Sequence, residues 1–178
     1  MRALFVDDER EFLELMEKRL SRRGIGVAVA HDGLEGVRAV EEAVAGGTLP
    51  DVVVMDVRMP GMDGLEALRR MKAAAPALPV VLLTGHASLG VAVEGMDLGA
   101  FDYMLKPVAI NELILKMEEA ARAASEDHGR TRQLTQSAGA RPGAAGSRGS
   151  GPRGGPQGPS ARAVRPFPPP AFRQQGGA

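Results

Sequence analysis

The fold is decided by one short stretch of the chain, Val52-Val53-Val54-Met55-Asp56. An unbroken apolar run of this kind is typical of a central strand in a parallel sheet that is buried on both faces. The aspartate directly after the run stands at the carboxyl end of that strand, which is the edge where open parallel sheets bind ligands. The stretch therefore predicts a central strand and a polar group at the functional edge of its sheet.

Four further runs are short and β-rich, and they cover residues 3–6, 27–30, 80–83 and 103–105. The segments between the runs show helical spacing of apolar residues. The clearest case is the last helix, with Ile110, Leu113, Ile114 and Met117 at positions i, i+3, i+4 and i+7. Five strands that are each followed by a helix predict an α/β fold, a doubly wound parallel sheet with helices on both faces.

The predicted fourth helix, about residues 88–98, contains Gly90 and Gly95. Each glycine costs about 1 kcal/mol relative to alanine inside a helix. One interpretation is a weakly held helix that can shift, and the other is that the glycines permit close packing. The sequence leaves both interpretations open.

Composition divides the chain into a folded part and a tail. Residues 129–178 contain 11 Gly and 8 Pro, together with eight Arg and no acidic residue, which leaves residues 1–128 with a net charge of −8. This share of Gly and Pro is typical of disordered sequence, and the sparse apolar residues of the segment cannot form a core. We predict one domain at residues 1–125 and a disordered tail rich in Gly, Pro and Arg at residues 126–178.

Composition also excludes several kinds of protein. The chain has no cysteine, which excludes a disulfide framework, a cysteine metal site and a cysteine nucleophile. No run reaches the roughly 20 apolar residues that a membrane helix needs. The apolar N-terminal stretch is interrupted by Asp7, Asp8 and Glu9, so it makes a poor signal peptide. We expect a cytoplasmic protein.

Polar residues follow the predicted strands where each strand ends: Asp7 and Asp8 after the first, Asp56 after the third, Thr84 at the fourth and Lys106 at the fifth. Three carboxylates brought close together would raise one another's pKa, a conflict that a magnesium ion resolves. An amine and a hydroxyl suit the oxygens of a phosphoryl group. The set predicts Mg²⁺ binding and phosphoryl transfer with an aspartate as the nucleophile.

Each member of this set has an ordinary explanation when taken alone. The acids at residues 7–9 could be solvated charges at a helix N-terminus, where the helix dipole favours them. Asp56 could be a turn residue, and Lys106 could mark a plain strand exit. The functional interpretation depends on the ordered conjunction of these residues at successive strand ends.

Four motifs in this order resemble the receiver domains of two-component response regulators: Val6-Asp7-Asp8-Glu9, Met55-Asp56-Val57-Arg58-Met59-Pro60-Gly61-Met62-Asp63-Gly64, Leu83-Thr84-Gly85-His86 and Asp102-Tyr103-Met104-Leu105-Lys106-Pro107. The resemblance covers about residues 1–124, and its second motif is the most specific. It is strongest to the receivers of enhancer-binding regulators. The resemblance implies a flavodoxin-like sheet of strand order 2-1-3-4-5 and a receiver of the single-domain type.

The resemblance also implies roles at the acidic edge of the sheet. Asp56 accepts a phosphoryl group from the phosphohistidine of a sensor histidine kinase. Asp8 binds Mg²⁺ directly, Asp7 assists through water, and Asp56 with the backbone carbonyl of Arg58 completes the metal site. Lys106 pairs with the phosphoryl group.

Further residues are implied to switch or modulate the protein. Thr84 moves toward the phosphoryl group and Tyr103 rotates inward, which changes the face formed by the fourth helix, the fifth strand and the fifth helix. The peptide bond before Pro107 is implied to be cis. Arg58 and His86 are implied to tune the lifetime of the phosphoryl group.

The predicted function is a signalling switch and not an enzyme, with slow loss of its own phosphoryl group as the only turnover. The expected partners are a sensor histidine kinase, a downstream protein and, after phosphorylation, a second copy of the chain; neither a membrane nor nucleic acid is expected. One alternative is an aspartate-nucleophile phosphatase of the haloacid dehalogenase type, but that class needs an acid where this chain has Arg58. Another is a DNA-associated regulator that uses the basic tail. A passive linker is the preferred explanation of that tail, and the product of a shifted reading frame is a further one.

Overall fold

The structure is a computed structural model that describes residues 1–85 and 89–138. Strands and helices alternate along the described chain, in this order: β1 (Arg2–Val6), α1 (Arg10–Ser21), β2 (Gly26–Ala30), α2 (Gly33–Gly46), β3 (Val52–Asp56), α3 (Gly64–Ala74), β4 (Val80–Thr84), α4 (Leu89–Asp97), β5 (Asp102–Leu105) and α5 (Ile110–Ala138). Each predicted strand and helix is present, and the five strands and α4 differ from their predicted bounds by at most one residue at either end.

The strands form one parallel sheet in the order β2-β1-β3-β4-β5. This order confirms the predicted doubly wound α/β fold, because the chain moves outward from β1 to one edge and then returns through β3 to the other edge. Every residue of β3 is buried, as expected of the central strand.

The core consists of two layers, one on each face of the sheet, because successive side chains of a strand point to opposite faces. In β1, Leu4 and Val6 belong to the layer covered by α2 and α3, whereas Ala3 and Phe5 belong to the layer covered by α1 and α5. The helical residues that complete the first layer are Val37, Val40, Ala67, Leu68 and Met71. Those that complete the second layer are Leu13, Met16, Leu20, Leu113, Met117 and Ala120.

The structure decides between the two interpretations of α4 at one of its glycines. Gly95 is buried, and a Cβ atom there would lie 2.5 Å from Cδ1 of Leu82 in β4. Since Leu82 is itself buried within the first core layer, the absence of a side chain at Gly95 allows α4 to pack directly on the sheet. At Gly95 the close-packing interpretation therefore holds.

Helix α5 extends past residue 125, where the folded part of the chain was predicted to end. It continues to Ala138 because residues 126–138 contain a single glycine and no proline, so nothing in them ends the helix. Met1–Gly129 forms one compact unit. Residues 139–178 lie outside the described residues, so a disordered tail there stays a prediction.

None of the helices in the described part of the chain is both long enough and apolar enough to span a membrane.

Candidate functional site

The candidate site lies at the carboxyl ends of β1 and β3, which are neighbouring strands. Val6 pairs with Met55 in the parallel register. The residues that follow them, Asp7 and Asp56, therefore lie side by side. Both aspartates are buried, with 1% and 5% of their surface exposed. The parallel register of β1 and β3 therefore brings together two acids that are 49 residues apart in the sequence.

A third acid completes a cluster that can hold a metal ion. Asp7, Asp8 and Asp56 each offer one carboxylate oxygen, and these oxygens lie within 4.8 Å of one another. Asp8 is exposed, which leaves the cluster open to solvent on one side. An all-oxygen donor set that is open to water fits Mg²⁺, which keeps several waters when it binds to proteins.

Lys106 extends from the end of β5 into this acidic cluster. Its Nζ donates hydrogen bonds to Oδ2 of Asp7 at 2.7 Å and to Oε1 of Glu9 at 2.9 Å. The same nitrogen is 3.5 Å from Oδ1 of Asp56. It also lies 4.7 Å from the centre of the Phe12 ring, in a cation–π arrangement. The predicted amine is thus at the site, but it is closer to Asp7 than to Asp56.

The buried charges shift the pKa values of these groups in directions that follow from their surroundings. Burial raises the pKa of the Asp7 carboxyl, and the hydrogen bond from Lys106 offsets only part of this effect. Burial also raises the pKa of Asp56; the charge of Lys106 opposes the shift and the charge of Asp7 adds to it. Burial would lower the pKa of Lys106, but its hydrogen bonds to Asp7 and Glu9 and the charges of Asp7 and Asp56 together outweigh this effect, and the pKa is raised. The site therefore holds excess negative charge that a cation would relieve.

Backbone groups hold the two buried carboxylates in place. The backbone N–H of Glu9 donates to Oδ1 of Asp7 at 2.9 Å, and that of Arg58 donates to Oδ2 of Asp56 at 3.2 Å. At Gly64, the first residue of α3, a Cβ atom would collide with the backbone carbonyl oxygen of Asp56. The loop after β3 can therefore fold tightly over the aspartate only because residue 64 is glycine.

The predicted switch and modulator residues have different positions. Thr84 ends β4 and is buried, and its carbonyl oxygen accepts a hydrogen bond from the backbone N–H of Lys106 at 2.8 Å. Tyr103 on β5 is 42% exposed, so it points outward in this structure. The peptide bond between Lys106 and Pro107 is cis, as the resemblance implied. His86 lies outside the described residues.

A shallow cleft of about 520 Å³ opens beside the acidic cluster. It is lined by Asp8, Val57, Arg58, Met59, Pro60, Asp63, Leu65 and Val91. A larger cavity of about 740 Å³ lies at the other end of the strands, between the loops that precede β3 and β4 and the middle of α5. No member of the acidic cluster lines that larger cavity, so the cleft beside Asp8 is the one relevant to chemistry.

Sequence reasoning missed the contacts that Glu9 and Phe12 make with Lys106. Glu9 and Phe12 lie shortly after β1, at the start of α1, whereas Lys106 is almost 100 positions further along the chain. The motif around Asp7 placed Glu9 near the site, but no spacing rule predicts which acids the lysine contacts. The sequence showed Gly64 only as part of the motif after Asp56, and not as the residue whose missing side chain makes room for the carbonyl oxygen of Asp56.

Comparisons with known proteins agree with this geometry. The sequence profile of the response regulator receiver domain matches residues 3–118. A response regulator named MprA from Mycobacterium sp. (strain KMS) is 39% identical over 129 residues, which cover 72% of this chain and 54% of that protein. The chain therefore spans about half the length of the curated relatives it matches.

Solved structures of the same kind share the fold. A response regulator receiver domain protein from Clostridium thermocellum is 32% identical with a TM-score of 0.64, over 70% of this chain and 96% of that one. NtrX from Brucella abortus, solved in complex with ATP, is 30% identical with a TM-score of 0.66, over 73% of this chain and 29% of that longer one.

Proposed function

We propose, from the premise that the chain belongs to the response regulator receiver domain family, that it works in two-component signalling by accepting a phosphoryl group on Asp56. The observation that carries the proposal is the contact of one amine with two buried carboxylates, Asp7 and Asp56, at the edge of the sheet. In this family the phosphoryl donor is the phosphohistidine of a sensor histidine kinase. We further propose that the protein acts in the cytoplasm.

The transfer consists of one bond formed and one bond broken. A carboxylate oxygen of Asp56 forms a bond to phosphorus while the P–N bond of the donor phosphohistidine breaks. The electron pair of that bond stays on the imidazole nitrogen, which then takes a proton from solvent. Asp56 suits the nucleophile role because one of its oxygens is held by the backbone N–H of Arg58 while the other faces Lys106.

Charge neutralisation is the main task of the surrounding residues. Lys106 supplies a positive charge next to the attacking oxygen, and Thr84 would donate its hydroxyl to a phosphoryl oxygen. Asp7, Asp8 and Asp56, with the backbone carbonyl of Arg58, would hold Mg²⁺. When bound, this ion neutralises negative charge on the phosphoryl oxygens.

The switching part of the proposal rests on the position of two residues. Thr84 is buried at the end of β4, whereas Tyr103 on the next strand is largely exposed. If Thr84 moves toward a phosphoryl group, the space next to β4 becomes available to the Tyr103 ring, and the surface of α4, β5 and α5 changes for a downstream protein or a second copy of the chain. Arg58, at the cleft beside the acidic cluster, and His86 would set how long the phosphoryl group survives.

The direct test is incubation of the purified chain with acetyl phosphate and Mg²⁺, followed by intact-mass measurement. We expect one phosphoryl group per chain in the wild type and none in Asp56→Asn. Asp51→Asn is the matched control, because Asp51 is an exposed acid at the other end of the strands and asparagine keeps an oxygen that can accept from the backbone N–H of Arg2. Sustained hydrolysis of many phosphoesters without a stable adduct would contradict the proposal and favour an aspartate-nucleophile phosphatase.

A further inference from the structure

The amine of Lys106 is shared among three carboxylates, and it lies farthest from the one that would react. Its distances are 2.7 Å to Asp7, 2.9 Å to Glu9 and 3.5 Å to Asp56. The first two contacts are hydrogen bonds, whereas the third exceeds the usual hydrogen-bond distance for an ammonium and a carboxylate. The amine therefore lies on the β1 side of the site.

Both nearer acids belong to the turn between β1 and α1. Asp7 is anchored by the backbone N–H of Glu9, so its carboxylate has a fixed place. Glu9 is different: its side chain is 64% exposed, and it makes no side-chain capping bond although it occupies the N-cap position of α1. The Glu9 carboxylate therefore contacts Lys106 without a role in starting the helix.

We propose that Glu9 is a positioning residue that holds the amine of Lys106 away from Asp56 and so slows phosphoryl acceptance. The inference rests on the proposed function, which it deepens by naming a residue that sets the rate. A phosphoryl group on Asp56 needs the Lys106 amine close to its oxygens. The amine must therefore weaken its contact with Glu9, since Asp7 is buried and anchored.

The size of the effect is limited by the exposure of Glu9. Exposed ion pairs contribute at most about 1 kcal/mol, because water competes for both charges. Removing the Glu9 charge should therefore accelerate phosphorylation by about two- to fivefold. Because the contact between Glu9 and the Lys106 amine is this weak, it can break without unfolding the turn between β1 and α1.

The test compares three variants in the rate of adduct formation from acetyl phosphate with saturating Mg²⁺. Glu9→Gln keeps the shape and removes the charge, and we expect the two- to fivefold increase. Glu9→Asp keeps the charge but shortens the side chain by one methylene, so it loses the contact at 2.9 Å and should behave like Glu9→Gln. Glu11→Gln, an exposed acid in the first turn of α1, is the matched control and should leave the rate unchanged.

A structural measurement provides a readout that does not depend on turnover. In a crystal structure of Glu9→Gln without a phosphoryl donor, the distance from Nζ of Lys106 to Oδ1 of Asp56 should fall below the 3.5 Å of the native chain. An unchanged or lower rate in Glu9→Gln overturns the inference, and so does a Glu9→Asp variant that reacts like the wild type. Failure of the wild type to form any adduct overturns the proposed function instead, so the two failures are distinguishable.

Discussion

Asp7 and Asp56 are charged groups in the interior of the protein, where charge lowers the free energy of unfolding. Both are almost fully buried, and burial raises the pKa of each carboxyl. Lys106 offsets only part of this cost. The candidate site thus holds buried negative charge at the expense of the free energy of unfolding, as is typical of functional sites.

Replacing Asp56 by asparagine should make the metal-free protein more stable. The Asp56 pKa is raised above its ordinary value of 3.8, so the folded state binds more protons than the unfolded state in the pH range just above that value. The contribution of this carboxyl to stability is present at low pH and is lost as the pH rises through the raised pKa. At pH 7 we expect Asp56→Asn to increase the free energy of unfolding by about 1 kcal/mol, the scale of a partly compensated charge in a protein.

Urea denaturation in the presence of a chelator, at several pH values, measures this effect. The gain from Asp56→Asn should shrink as the pH falls toward 3.8. Asp51→Asn serves again as the control and should change stability little. A loss of stability in Asp56→Asn at pH 7 would mean that the ion pair with Lys106 outweighs the cost of burial.

At the scale of the elements, two glycines set how closely helices approach the sheet. Gly64 lets α3 begin against the end of β3, which places the loop with Arg58 over Asp56. Gly95 lets α4 lie directly on Leu82 of β4. Both contacts affect strands that end at the candidate site, so helix packing and the geometry of the site are linked.

Gly95→Ala separates the two interpretations of α4. In a loosely held helix, alanine would stabilise the protein by up to about 1 kcal/mol. Because the new Cβ would lie 2.5 Å from Cδ1 of the buried Leu82, we instead expect a loss of about 1–3 kcal/mol from overpacking. Denaturant unfolding gives the difference.

Gly46→Ala provides the contrast, because Gly46 is exposed at the end of α2 and its nearest neighbour would be Oγ1 of Thr48 at 3.4 Å. That variant should be neutral or slightly more stable. If Gly95→Ala were as stable as Gly46→Ala, close packing of α4 on the sheet would not be what requires glycine at this position.

At the scale of the molecule, both core layers are complete within the compact unit Met1–Gly129. The last buried apolar residue of the described core is Ala120 in α5. Helix α5 supplies Leu113, Met117 and Ala120 to the layer that it shares with α1. The domain should therefore depend on the first part of α5 and not on the chain beyond that helix.

Two truncations test this dependence. A chain that ends at Ala138 should unfold cooperatively with the same thermal midpoint as the full chain, and it should form the same Asp56 adduct. A chain that ends before Ile110 lacks half the helical cover of one face and should show no cooperative transition. Circular dichroism against temperature measures both, and a large loss of stability in the first truncation would contradict the prediction that the domain does not depend on the chain beyond α5.

Local patterns in the sequence determined most of the fold and the residues proposed for the candidate site. The apolar run before Asp56 and the helical spacing from Ile110 to Met117 depend on neighbouring residues only, so they could be read in order along the chain. The strand ends then identified Asp7, Asp8, Asp56, Thr84 and Lys106, because carboxyl ends of parallel strands meet at one edge.

Only the tertiary structure decided how these residues contact one another. The preference of Lys106 for Asp7 and Glu9 over Asp56 depends on side-chain distances between segments almost 100 residues apart, and the packing of Gly95 on Leu82 depends on the approach of a helix to a strand. Helix α5 continues to Ala138, which the glycine and proline content averaged over residues 129–178 does not reveal, although the first proline of that region is Pro142. Composition reports an average over a segment, whereas contact distances and helix ends are decided atom by atom.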